Sequence, residues 1–508
     1  MQCSKRWTRR SFESSFTNVS PGFMIGFGLG PMPEHGAAED LVPIDQNMPN
    51  QLAAPGTLLG QLQRGHGRGY VNALRDTEAP ELLLHCVEHD PRWDQQLEHR
   101  AAYYARLAMA LQVEPAAIVS IYEKQSSRDD GEKRPLAAKV LAELAVRGNL
   151  EAHAQISRLM MGPHWEGVFN ELSFREGFYK RPVLTGDEVL RLVRRIDDEA
   201  LMSVVEFDGS ERFQAWPDVI QRIHRIRRDR YADEGLRRRV EPYIMPKTSM
   251  STETLLRQVT RQTAPKTVKI LAARRDPASV ALVEQAAQSE DVELAIAALQ
   301  ILGRQGNTAA LQCVCEALEN DPGTPDRPGA RRRIANLRYL EALPSEVTLA
   351  LAREWLRRGG ARSIAAEKLI GMHATCAERE MVEEALDAAL EEGAVYRAYN
   401  MIEALGVIAA PDSEELLRRA FYELPYSRAR SEVLKSLKAS GSVVGTLLAE
   451  ESLWDSEDEA RRLAITMVRG DEPGMVARIR EMAHDPFEED RICEGASRWV
   501  RDFDGEVS

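Results

Sequence analysis

From Met250 onward the chain repeats one pattern: an apolar helical stripe, a short turn, and a second stripe. First stripes begin near Val292, Gly329, Ala361, Val395, Ser427 and Ser456. A period of roughly thirty-odd residues is the length of one helix pair. Such a pair has an apolar face it cannot bury alone, so the pattern demands stacking on neighbours. In the segment that starts at Val395, the residues Val395, Met401, Ile402, Leu405 and Ile408 lie on one side of a helix. Ala409 to Ser413 break it, and Leu416, Leu417, Ala420 and Phe421 open the next stripe. Pro277, Pro411 and Pro473 stand where helices open, since proline's missing donor is not needed in a first turn. Gly306-Asn307 and Gly441-Ser442 occupy turns.

The rest of the 508 residues divide around this block. Residues 1–50 read as a flexible leader: Arg9-Arg10 lack the apolar core of an export signal, and Gly22 to Gly30 is too rich in glycine for a helix. Residues 51–240 read as an irregular N-terminal helical domain, and 241–250, with Pro242 and Pro246, as a linker. Residues 251–486 are the repeats, and 487–508 an acidic tail. Within the N-terminal part the patterning predicts a short helix from Thr57, a turn at Arg64-Gly65-His66-Gly67-Arg68-Gly69, and a helix from Tyr70. Further helices are predicted from Pro80, over Trp93–Leu111, from Pro115 to Tyr122, from Pro135 to Val146 and from Leu150 to Met161. Gly148-Asn149 separates the last two, and Thr185 caps another.

Ala, Leu, Glu and Arg abound while aromatic residues make up only 6%, which makes the fold class all-α. A net charge of -13 speaks against a surface that binds nucleic acid everywhere. Six scattered cysteines suggest no disulfide framework and fit a reducing, cytoplasmic setting. No apolar run is long enough to span a membrane.

The alternation, and Val292 to Leu299 followed by Gly303 to Asn307 in particular, resembles the HEAT and armadillo-like superfamily of alpha solenoids, including the HEAT-like repeats of bacterial proteins. The resemblance covers Ser251 to Pro486 and, more loosely, Pro80 to Met161. It implies an alpha-alpha superhelix with a curved binding surface, and it implies no particular reaction.

Candidate sites come with competing readings. Arg222, Arg225, Arg227, Arg228 and Arg230, with Arg237, Arg238 and Arg239, form a basic segment able to contact phosphates, and Arg331, Arg332 and Arg333 form a second. Asp218, Asp229, Asp233 and Glu234 dilute the first, so a salt-bridged face or an interdomain contact is the simpler reading. Some HEAT-like DNA glycosylases set aromatic residues and a carboxylate in a basic cleft, and by that resemblance Trp165 and Glu166 would stack on a base and supply charge. Core packing is the simpler role for Trp165. His85 and His89 share a helix face, with His99 nearby, but complete no metal motif, and Cys313 and Cys315 point apart on a helix. Gly65, Gly67 and Gly69 present backbone donors suited to an anion, or else form a plain turn. No cofactor or metal is implied. The expected function is a non-catalytic scaffold for a protein or peptide; the alternatives are a nucleic-acid or polyanion binder using the arginine-rich middle, and self-association through the acidic tail.

Overall fold

The computed structural model describes residues 52–95, 97–126, 136–179, 183–208, 212–235, 245–320, 327–358, 362–470 and 472–507. All regular secondary structure among them is helical. The described residues fall into two compact units, 52–468 and 469–507. The linker expected at 241–250 lies inside the span of the first unit, and the leader 1–50 lies outside the described residues.

In the larger unit the predicted first helices are observed as Val292–Gln305, Arg327–Glu341, Ser363–His373, Val395–Ile408, Ser427–Ser440 and Asp458–Met467. Each packs on the next, building a continuous layer of stacked helices. Its core is apolar and closed to solvent: Ala398, Met401, Ile402, Leu405, Val433, Leu434 and Leu437 are all at most 1% exposed. The turns use the chemistry expected of them. Gly306 and Gly441 end helices in the left-handed region, and the Ser442 hydroxyl accepts from Gly445 N to start the next. Asp276 caps the helix that opens with Pro277.

The pairing register differs from the sequence reading. Val395–Ile408 packs on the helix before it, Arg379–Glu392, as extensively as on its stack neighbours, and only weakly on the helix after it, whereas Glu414–Glu423 packs on Ser427–Ser440. Periodicity marks which face is apolar and leaves open which neighbour covers it.

The N-terminal part of this unit is organised around Leu136–Val146, ten of whose eleven residues are buried. Helices on several sides, including Ala101–Ala110, Pro115–Ser126, Leu150–Leu159 and Trp165–Tyr179, pack on it. Asn149 caps Leu150–Leu159 through Ala152 N at 2.9 Å, and Thr185 forms a reciprocal capping box with Glu188. One expected helix is not formed as predicted: it begins only at Ala101, and Trp93 to Gln95 and Leu97 to Arg100 are irregular. The reason is side-chain competition for backbone groups. Glu98 accepts from Trp93 N and Asp94 N at 3.1 and 3.2 Å, and Arg92 donates to the carbonyls of Gln95 and Glu98.

In the smaller unit, Pro473–His484 and Asp490–Val507 pack together. The acidic tail is thus largely helical, with Trp499 stacked on Phe503 at 4.9 Å and Arg480 donating to Asp504 at 2.6 Å.

Candidate functional site

The glycine-rich turn is where distant parts of the larger unit meet. Helix Leu58–Arg64 ends at Gly65, whose φ of 72° is left-handed, and Gly65 N and His66 N close the end on the carbonyls of Leu62 and Gln61. The next helix, Gly67–Ala73, starts earlier than the sequence suggests, so Gly67 and Gly69 are helical. The turn is buried among residues 421–456. A Cβ on Gly67 would lie 1.9 Å from the carbonyl oxygen of Glu451, so only glycine allows the two backbones to approach.

Polar contacts pin this junction, which we call the seam. Arg64 Nε donates to Glu423 O at 3.1 Å, Arg100 Nη2 to Pro425 O at 3.0 Å, and Ser456 N to Gly65 O at 2.9 Å. Arg68 Nη2 donates to Tyr422 Oη at 2.7 Å and faces Glu451 Oε2 at 3.3 Å, while Tyr422 Oη donates to Glu451 Oε2 at 3.0 Å. Arg430 grips Asp455 with two bonds of 2.7 and 2.8 Å, and Arg100 meets Glu98 at 2.6 Å; all four side chains are fully buried. Tyr103 and Tyr104 donate to the carbonyls of His66 and Leu62.

Burial sets the electrostatics. It holds His66 well below its ordinary pKa, helped by Arg430, Arg64, Arg100 and Arg68, so the imidazole is neutral. Burial also raises the Glu451 carboxyl, against the pull of Arg68. Glu457, which accepts from Ser427 Oγ at 3.0 Å, is pushed up to about 7 by burial and by Asp458 and Asp455. Arg64 is lowered to about 10 by burial and by Arg100 and Arg430.

Beside the seam is an exposed aromatic edge. Trp93, on the irregular segment, is 49% exposed and packs edge-on against Tyr396, which is 55% exposed, with ring centres 6.4 Å apart. Tyr396 in turn meets Tyr426 at 5.9 Å, and Tyr426 meets Tyr399 at 5.8 Å. Tyr426 is buried, and Tyr399 Oη is tied to Glu432 at 3.1 Å, so the outer rings rest on a fixed base. Leu97 is exposed on the same segment. Ile364, Tyr396 and Arg428 occupy the second position of three neighbouring helices of the stacked layer, Ser363–His373, Val395–Ile408 and Ser427–Ser440, and all three are exposed. The Arg428 guanidinium influences both Tyr399 and Tyr426.

No protein-family model and no curated protein matches this chain.

The residues singled out in the sequence are dispersed. Arg222 donates to Asp198 and to the carbonyls of Val193 and Ile196, and Arg225 shares Asp198 at 3.1 Å. Arg227 is half-buried and Arg228 exposed on the same helix, Pro217–Gly235. The Arg230 side chain and Arg237, Arg238 and Arg239 lie outside what is described. Arg331 is paired with Glu293, Arg332 donates to Ser289 O at 3.0 Å, and Arg333 also has a partner. Trp165 is buried, edge-on to Phe169 at 6.1 Å, while Glu166 is exposed. His85 and His89 stack at 4.3 Å, and no group of three or more candidate metal ligands occurs among the described residues. Cys313 and Cys315 are half-buried free thiols. No helix among the described residues is long and apolar enough to cross a membrane.

Sequence reasoning noted the glycine turn and Trp93 without linking them. It missed Arg100, Arg430, Glu451, Asp455 and Tyr396. Arginines on otherwise apolar helix faces were the available signal, and Arg430, between Ala429 and Val433, is the clearest case.

Proposed function

We propose that this chain is a non-catalytic scaffold of the HEAT/armadillo-like kind, and that it binds a protein or peptide partner at the exposed edge formed by Trp93, Leu97, Tyr396 and Arg428. The observation that carries this reading is the exposure of Trp93 and Tyr396, half in solvent yet backed by Tyr426. Trp, Tyr and Arg are the residues that dominate binding energy at protein interfaces, because they offer large area with few torsions to freeze. A fixed base lowers the ordering cost of binding further. The polyanion alternative has less support: Arg222, Arg225, Arg331 and Arg332 already serve partners within the chain.

The test is recovery of native partners by the full chain, with and without nuclease, compared with Trp93→Ala and Tyr396→Ala. Each substitution should weaken partner affinity by about 2 kcal/mol, roughly thirtyfold, while leaving helicity and melting temperature nearly unchanged. A partner bound equally by both variants would move the interface elsewhere. Recovery abolished by nuclease, with steep weakening in salt, would replace the reading by the polyanion one.

A further inference from the structure

The helices of the larger unit form two sets. Those from Leu58–Arg64 to Pro217–Gly235 pack among themselves, and so do those from Thr252–Arg257 to Asp458–Met467. Between the sets, among the described residues, Gly67–Ala73 on Val443–Ser452 is the one helix packing beyond isolated touches. Each set covers its own core. Leu136–Val146 is buried by helices of the first set, and Met401, Ile402 and Leu405 by helices of the second, so parting the seam leaves both cores closed.

The seam joins the sets largely through polar groups, and not all of them are satisfied. Arg64, Arg68, Arg100 and Ser456 N each donate across it. Against these bonds stand buried donors with no protein partner: both ring nitrogens of His66, Nε and Nη1 of Arg100, Nη1 of Arg430 and Nε of Arg68. Each forfeits its hydration when the seam closes and regains it when the seam opens. The apolar joints between stacked helices carry no such cost. Elements that open below the free energy of global unfolding are those with few buried apolar contacts, and the seam is one. Its opening has a consequence at the surface, because Trp93 and Leu97 belong to the first set while Tyr396, Tyr426 and Arg428 belong to the second. The exposed aromatic edge exists only while the two sets meet.

We propose that the seam is a clasp: it opens as one unit while both sets of helices stay folded, and in opening it parts Trp93 from Tyr396 and divides the exposed edge. The opening does not depend on that edge receiving a partner; where it does, as proposed above, a partner touching both sides holds the clasp shut. Hydrogen exchange of the full chain, resolved by residue at rising but sub-denaturing urea, tests this without any partner. Two amides report from opposite sides: Ser456 N is bonded to Gly65 O, and Arg68 N, in the first turn of its helix, to Glu451. Both should show one opening constant to within about threefold, exchange about a hundredfold faster than the amides of Met401 and Ile402, and depend less steeply on urea. Arg64→Met removes the bond to Glu423 O and should speed both reporters about tenfold. Unchanged exchange at Met401 and Ile402 would show that this variant is folded. Four amides sharing one rate and one urea slope would mean that the seam parts only when the whole unit unfolds. Unequal opening constants at Ser456 and Arg68, or no response of either to Arg64→Met, would mean local fraying. Each of these results would overturn the clasp, and none of them bears on whether a partner binds the edge.

Discussion

The stacked helices and the seam both bury their contacts almost completely, yet they do so with opposite chemistry. Between Val395–Ile408 and Ser427–Ser440 the buried residues are largely Ala, Val, Leu, Ile and Met, from segments about one repeat apart. At the seam, the fully buried pairs Arg100–Glu98 and Arg430–Asp455 each stand on one side, and their arginines reach across to Pro425 O and Gly65 O, from opposite ends of the unit. Apolar packing is non-directional and tolerates small shifts, so it suits a repeated joint. A buried ion pair demands geometry and punishes loss of one partner, so it suits a junction formed once.

The two regions should therefore respond differently to substitution. The largest effect belongs to the stack: Leu417, 1% exposed, replaced by Asp should cost about 5 kcal/mol or more, seen as a lowered urea midpoint. At the seam, Arg430→Met should cost about 3–5 kcal/mol because it strands the Asp455 carboxylate, whereas the double replacement Arg430→Met with Asp455→Leu should recover most of that loss. If the single and double variants prove equally unstable, the contrast between the regions fails.

A smaller effect is the pH response of His66. Its folded pKa lies well below the unfolded value of about 6.5, so below that value the unfolded chain binds the proton more readily. Stability from this group is fully present above about pH 6.5 and falls as pH drops further, by up to about 1.4 kcal/mol per unit. Glu457 acts in the other direction. Its folded pKa is raised, so its contribution is present below the unfolded carboxyl value and is lost as pH rises through about 7. His66→Gln should flatten the acid limb of a urea-midpoint profile, and Glu457→Gln the neutral limb. Unchanged profiles would place both groups in solvent.

How legible the molecule was in its sequence follows the same division. The stack was readable because a helix records its buried face as a 3.6-residue stripe, and Val395, Ser427 and the glycine and proline punctuation marked its joints. Even there, the stripe on Glu414–Glu423 did not reveal that its cover is the following helix. The seam was not readable. Arg64 and Glu423, or Arg100 and Pro425, are joined by single directional bonds that leave no periodic trace. Gly67 stood out as a glycine, but the backbone of Glu451 that requires it lies hundreds of residues away. Trp93 was placed in a helix because its neighbours have the right spacing. Glu98 and Arg92 hold that backbone instead, and this leaves Trp93 free to meet Tyr396.

The central claim is that the glycine turn is pinned to the last repeats of its unit. A double-mutant cycle on Arg68→Met and Glu451→Gln in the full chain, read by urea unfolding, tests it most directly. The pair is 383 residues apart in sequence. Contact across the seam requires a coupling energy of about 1–3 kcal/mol. Effects that add to within about 0.5 kcal/mol would show that the two side chains do not meet, and would contradict the seam itself.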